Sequence, residues 1–354
     1  MDAFVLVLVA ALVAACLFVP LYLLRITPIV YATAVVKVKE SKLMDDKKYE
    51  EFASLDLEDF PSFFEDTDYG KHITAPSYEN IERGLLLYER DLDHEVFDLI
   101  PKDLSEVFDF LIRKWDVLNL RRVLAGIHAG IPEEEVKEGL VEAGYMYDSI
   151  QELAGRGIEE AASALEGTPY DIREGMEEYR ATNNFSFIDL LLKKRMFEKV
   201  VEEAMWSREK KLKTFNAYLQ VLADSLDMKA MLRGKAGGVG IEELRRFLMK
   251  FDVEREYEES KDVNDFLVRL GETKYSYLIE DVGEGLDLTE VERKSEEQVL
   301  KRGKEISVAE TFGLGPVVSF MAQKEAEIRN IRLIAKLTAE GFSPEKIRES
   351  LLFA

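Results

Sequence analysis

"EIRNIRLIAKLTAEGFSPEKIRESLL", residues Glu327–Leu352, has two earlier echoes: "DVLNLRRVLAGIHAGIPEEEVKEGLV" at Asp116–Val141 and "DSLDMKAMLRGKAGGVGIEELRRFLM" at Asp224–Met249. Asn119, Asp227 and Asn330 hold one place in the three copies, separated by 108 and 103 residues. An acid stands three residues before that place (Asp116, Asp224, Glu327), and a base two residues after it (Arg121, Lys229, Arg332). Eleven residues on comes a glycine, Gly130, Gly238 or Gly341. A helix ends most easily there, because left-handed backbone costs a residue without Cβ nothing. Repetition at this period marks a repeated structural unit. Each copy therefore reads as helix, tight corner, second helix. Pro132 and Pro344 suit the first turn of the second helix, with Ser343 as its cap. The middle copy has Gly237, Gly238 and Gly240 and no proline, so a looser corner is expected.

On a 3.6-residue helix, Asp116 and Asn119 lie about 60° apart, and Leu120, Val123, Leu124 and Ile127 continue their stripe. The other copies keep it with Met228, Met231 and Leu232, and with Ile331, Ile334 and Ala335. The polar pair is thus expected on or beside the packing face, while Arg121, Lys229 and Arg332 point toward its flank or to solvent. Two readings follow. In one, the acid and amide bond neighbouring helix ends and fix the packing, since buried polar groups are paired. In the other, three equivalent helices line a shared central surface and present these groups to a partner.

Beyond residue 30 helical spacing and helix-forming residues dominate, which predicts an all-α body of three similar lobes. The divisions read from the repeats are 26–150, 151–260 and 261–354, after an N-terminal segment at 1–25. Leu55–Ser77, punctuated by Pro61, Gly70 and Pro76, is expected to be a loop or a few short turns. The 354 residues are 47% hydrophobic, ample for a large core. A net charge of −22 argues against nucleic acid as a partner, since phosphate binding draws on Lys and Arg. The single cysteine, Cys16, allows neither a disulfide framework nor a thiolate metal cluster.

Ala3–Leu24, "AFVLVLVAALVAACLFVPLYLL", carries no charge over 22 residues, long enough as a helix to cross a bilayer. Only Asp2 precedes it, whereas Arg25, Lys37, Lys39 and Lys42 follow. This asymmetry predicts a membrane-spanning helix with the body on the cytoplasmic side of the cell membrane. "LVAAC", Leu12–Cys16, resembles a lipoprotein cleavage box, but the basic leader is missing and the apolar run continues past Cys16. A helix buried in the protein's own core is the other alternative.

Chemistry is hard to place on this chain. "GKAGGVG", Gly234–Gly240, lacks the spacing and the Ser or Thr of a phosphate loop and reads better as a helix corner. His72, His94 and His128 are scattered and form no metal motif. Glu133, Glu134 and Glu135 follow Pro132, where a helix start favours negative charge. Trp115 and Trp206 read as packing residues. No nucleophile, general base or cofactor site emerges.

"YATAVVKVKESKLM" (Tyr31–Met44) and "GPVVSFMAQKEAEIRNIRLI" (Gly315–Ile334), together with the repeated acid, Asn/Asp, base pattern, resemble the C subunit of the archaeal-type (A-type) ATP synthase, related to the d subunit of vacuolar-type ATPases. The resemblance runs from Tyr31 nearly to the C-terminus. It implies a pseudo-threefold funnel of helical lobes, seated on the membrane rotor ring and receiving the central shaft. Such a subunit performs no catalysis; it links ring rotation to the ATP-handling head. The leading apolar segment departs from the commonest family pattern and implies an anchor inside or beside the ring. The rival function is a membrane-anchored helical scaffold that recruits cytoplasmic partners.

Overall fold

The computed structural model describes residues 3–102, 104–206, 213–249, 252–280, 288–310 and 313–353. Within its helices, the side chains of 3–15, 17–19, 21, 22, 25, 202–206, 213 and 214 also lie outside the description. All regular structure among the described residues is helical. The chain opens with α1 (Ala3–Glu40), α2 (Asp46–Phe52), α3 (Phe60–Phe64) and α4 (Tyr78–Leu99). Then follow α5 (Ser105–Phe108), α6 (Phe110–Ala129), α7 (Glu133–Glu138), α8 (Tyr147–Gln151), α9 (Ile158–Ala164), α10 (Arg173–Thr182) and α11 (Ser186–Trp206). The last third holds α12 (Lys213–Ala236), α13 (Ile241–Leu244), α14 (Glu254–Glu259), α15 (Val263–Leu270), α16 (Leu288–Ala309), α17 (Gly315–Ala339) and α18 (Pro344–Glu349).

Local chemistry sets several of these limits. The side chains of Asp45, Ser77 and Asp262 accept from the backbone N–H of Lys48, Asn80 and Asp265, capping α2, α4 and α15. α6 ends at Gly130 with φ +69°, and Gly238 and Gly341 turn with φ +70° and +78°. The three corners also share one bonding pattern. Ile131 N–H reaches back to Gly126 O at 2.9 Å, Val239 N–H to Gly234 O at 2.9 Å and Phe342 N–H to Leu337 O at 3.0 Å. The middle corner is therefore no looser than the others, because its turn is held by backbone bonds that need no proline. Pro344 opens α18 as expected, whereas Pro132 stands just before α7, and Ser343 precedes α18 without a side-chain cap bond.

Among the described residues three large apolar clusters hold the helices, with a small fourth of Leu86, Trp115, Val141 and Ala143. The second joins α6 through α11, from Val117 to Leu192, with Phe247; the third joins α12 through α16, from Met228 to Val291. The first is discontinuous in sequence, uniting Ile29–Leu111 with Val299–Leu352 and with Val200, Phe215, Tyr218 and Leu219. The two ends of the chain thus share one core, and the ring of Phe353 meets that of Tyr49 edge-on at 6.1 Å. Residues 55–77 do form only a 3-10 turn at Leu57–Asp59, the short α3 and bends. They are nonetheless packed, since Phe60, Phe64 and Tyr69 are buried with Phe52 in this core.

α1 is one helix from Ala3 to Glu40. Its last turns dock on the body through buried Ile29, Ala32 and Val36, while Leu23, Leu24, Tyr31 and Val38 stay exposed. Thr33 Oγ1 donates to Gly313 O at 3.1 Å. Among the described residues no helix is long and apolar enough to cross a membrane. The membrane-span expectation concerns 3–24, whose side chains fall mostly outside the described residues.

Candidate functional site

Asn119, Asp227 and Asn330 are buried, and each repeat turns this place toward the same backbone segment. Asn119 accepts from Val141 N at 2.9 Å and donates to Val141 O at 2.8 Å. Asn330 accepts from Leu352 N at 2.9 Å and donates to Leu352 O at 2.8 Å. Asp227 accepts from Met249 N at 2.9 Å. In all three cases the partner is 22 residues ahead, so the side chain clasps the backbone returning from the corner. Asp227 is an acceptor only and cannot make the donating half of the clasp.

The acids three residues earlier fasten a second segment. Asp116 accepts from Met146 N at 2.8 Å and from the Tyr170 hydroxyl at 2.9 Å. Glu327 accepts from Met44 N at 2.6 Å and from the Tyr69 hydroxyl at 2.6 Å, with Lys324 Nζ at 2.5 Å. Asp224 takes Lys274 Nζ at 3.0 Å, next to Tyr275. Burial pushes the Asp116 carboxyl above its ordinary value, although the bonds from Met146 and Tyr170 oppose the rise. Burial also carries the hydroxyls of Tyr69 and Tyr170 far upward, with the adjoining carboxylates adding to it, so both remain proton donors.

The tyrosines belong to a repeat that the sequence reading missed. Thr67-Asp68-Tyr69, Thr168-Pro169-Tyr170 and Thr273-Lys274-Tyr275 form identical turns. In each, the threonine hydroxyl donates 2.7 Å to a carbonyl three residues back (Phe64, Leu165 or Leu270) and accepts the tyrosine N–H at 3.1 to 3.2 Å. A search for Thr-x-Tyr at the period of the acid and amide would have found it. What hid it is chain order: Tyr69 serves Glu327 from 258 residues upstream.

The three bases reach sideways to acids on other helices. Arg121 pairs with Asp189 of α11, Lys229 with Glu296 of α16, and Arg332 Nε with Glu82 Oε2 of α4 at 2.7 Å. Arg121, Asp189, Arg332 and Glu82 border one open cleft of about 690 Å³. Lys229 and Glu296 border another, between α12, α16 and α17. Lys114, Leu222 and Glu325 also hold equivalent places, two residues before each acid, and Lys114 Nζ comes within 3.8 Å of Glu325 Oε1.

The other candidates have ordinary surroundings. Trp115 is buried and donates Nε1–H to Asp93 Oδ2 at 3.0 Å. The side chain of Trp206 lies outside the described residues. His128 Nδ1 meets the Tyr179 hydroxyl at 2.9 Å, His72 sits 3.3 Å from Asp91, and His94 is exposed. Glu133, Glu134 and Glu135 form the first turn of α7. Gly234–Gly240 is the end of α12 and its corner. No group of three or more His, Cys, Asp or Glu side chains among the described residues is placed to hold a metal ion.

A family model described as the ATP synthase (C/AC39) subunit matches residues 32–350. The chain belongs to that family. The C subunit of the A-type ATP synthase of Methanocaldococcus jannaschii is 28% identical to this family member over 92% of this chain and 87% of its own length. The corresponding A-type protein of Pyrococcus abyssi is 28% identical over 92% of this chain and 90% of its own. That of Methanosphaera stadtmanae is 26% identical over 98% and 93%. As a C/AC39 family member the chain is a non-catalytic part of an ATP synthase complex.

One glycine of this family member is tied to the clasp. Gly144 has φ +94°, and a Cβ there would collide with the Asp116 carboxylate. At Gly130 and Gly341 an added Cβ meets nothing within 4 Å. Gly130→Ala and Gly341→Ala are expected to cost about 1–2 kcal/mol each from left-handed backbone alone. Gly144→Ala is expected to cost more than either, because it also displaces Asp116. Denaturant titration of the three variants orders them; equal losses would mean that the clasp yields freely.

Proposed function

We propose that this protein is the central-stalk coupler of an A-type ATP synthase, joining the membrane rotor ring to the central-shaft subunits. Through it, ring rotation driven by proton or sodium transport is linked to ATP synthesis or hydrolysis. The carrying observation is the threefold recurrence of one clasp, with Lys114 and Glu325 at equivalent places coming within 3.8 Å. Three similar lobes around an axis follow naturally from that recurrence. Packing suggests lobes of α6 to α11, α12 to α16, and α17 with α18 completed by residues 44–99. The third lobe would thus be built from both ends of the chain, which differs from a division at 26–150, 151–260 and 261–354.

Mechanical load favours such a closed form. One charge moved through 100 mV releases about 2.3 kcal/mol, so several ions store on the order of 10 kcal/mol of twist. A single surface ion pair contributes about 0–1 kcal/mol and would slip. Grip spread over three lobes can hold, and the bases Arg121, Lys229 and Arg332 with the corners Gly130, Gly238 and Gly341 are the residues we assign to its surface. In this reading Ala3–Leu24 anchors the protein in the membrane, inside or beside the ring, with the body on the cytoplasmic side. The docking of the last turns of α1 on α17 and α4 would transmit that anchorage.

Gentle extraction of the membrane complex tests this reading. The protein is expected to purify with both ring and shaft; recovery free of both, or with unrelated proteins, would favour a helical scaffold instead. A charge-reversal experiment addresses the surface. The triple variant Arg121→Glu, Lys229→Glu, Arg332→Glu places like charges against Asp189, Glu296 and Glu82. Helix content by circular dichroism should persist while binding to ring or shaft weakens; undiminished binding removes these bases from the contact.

A further inference from the structure

α1 changes its surroundings within one turn. From Ile29 onward it is fastened to the body: Ile29, Ala32 and Val36 are buried in the first core, where α1 lies on α17 and α4. Polar bonds add to this hold. Lys39 Nζ pairs with Glu95 Oε2 at 2.7 Å, and Gln323 Nε2 donates to Glu40 Oε1 at 2.9 Å. Before Ile29 no described side chain of α1 is buried, and Leu23 and Leu24 are 51% and 73% exposed. The helix is weakest at this boundary. Pro28 carries no N–H for the Leu24 carbonyl four residues back, and its ring crowds that oxygen. One residue earlier, the Thr27 hydroxyl donates to the Leu23 carbonyl at 2.6 Å, a side-chain bond that competes with the backbone ladder and bends helices. Two successive carbonyls are thus disturbed just where contact with the body ends.

We propose that Thr27 and Pro28 form a joint that lets the body tilt against the membrane segment while the two stay tethered; the proposal rests on the reading of Ala3–Leu24 as the anchor. Pro28 lies four residues past Leu24, about 6 Å along the helix, and so in the headgroup layer where the chain would leave the hydrocarbon. Spanning helices tilt by about 20° on average, to a degree set by their membrane neighbours. The direction of the body is set separately, by its seat between ring and shaft. A stiff helix would force one to follow the other. Sharp bends arise at prolines and where a side chain enters the hydrogen-bond ladder, and both causes coincide here. Pro20 also interrupts the ladder, but it stands inside the apolar run, away from the boundary with the body.

The test uses the full-length chain in lipid nanodiscs, spin-labelled at Cys16, its single cysteine, and at Ser62→Cys, an exposed position on α3. Pulsed electron paramagnetic resonance then reads the spread of distances between anchor and body. Pro28→Ala is expected to narrow that spread about twofold, and Thr27→Val, which removes only the hydroxyl bond, to narrow it less. Pro20→Ala should leave most of the spread in place. A spread unchanged by Pro28→Ala, or reduced as much by Pro20→Ala as by Pro28→Ala, overturns the proposal and leaves the anchor reading standing. A chain that does not enter the nanodisc overturns both.

Discussion

Asn330→Leu is expected to lower the free energy of unfolding by about 3–5 kcal/mol. The side chain is buried and makes two bonds to the backbone of Leu352. Its loss strands one N–H and one C=O, each costing about 1–3 kcal/mol when buried without a partner. The replacement also alters the packing of α17 against the last residues of the chain, where Leu351 and Leu352 are buried. Deletion of residues 351–354 removes the same contacts from the other side. The combined variant should therefore lose much less than the sum of the two, as partners in one interaction do. Denaturant unfolding of the four proteins checks this; strict additivity would show that Asn330 and the C-terminus act separately. Asn119→Leu, which strands the corresponding groups at Val141, should behave like Asn330→Leu.

Lys114→Met is expected to cost about 3–5 kcal/mol near pH 8, the range for breaking a buried pair from one side. Its ammonium is held far above its ordinary value by Asp93, Glu89 and Glu325, against the opposing effect of burial, so it is charged throughout the accessible range. Burial raises Asp93 to about 8, with Glu89 and Glu325 adding to the rise and Lys114 opposing it. The folded protein then holds a proton on Asp93 that the unfolded chain releases near pH ~4. Stability from this group is complete below about pH 4 and declines as pH rises toward 8, at up to about 1.4 kcal/mol per unit. Asp93→Asn should flatten that decline. The cost of Lys114→Met should shrink between pH 8 and pH 5, as the carboxyl groups take up protons. A pH-independent cost would contradict the shared-ammonium account.

The helical class and the three corners were legible because they depend on local physics. Gly130, Gly238 and Gly341 all adopt the left-handed backbone that only their residue type takes without strain. The family was legible from Tyr31–Met44 and Gly315–Ile334, and the match over residues 32–350 bears it out. The direction of Asp116, Asn119, Glu327 and Asn330 toward the packing face also followed from helical spacing, and all four are buried. Their partners did not follow, because Val141, Met146, Met44 and Leu352 contribute backbone groups, which carry no residue signature. Tyr69 escaped for a related reason: its carboxylate partner lies at the other end of the chain, and no local period connects them. The gathering of three carboxyl groups around Lys114 was equally hidden. Glu89, Asp93, Lys114 and Glu325 come from three helices, and each alone reads as a solvated helix face.

Imaging of the assembled complex at side-chain resolution bears most directly on the coupling account. The account predicts this protein between ring and shaft, with Lys114, Leu222 and Glu325 gathered beneath the shaft tip and three lobes surrounding it. A position at the periphery, or a shaft that ends against one lobe, would contradict it.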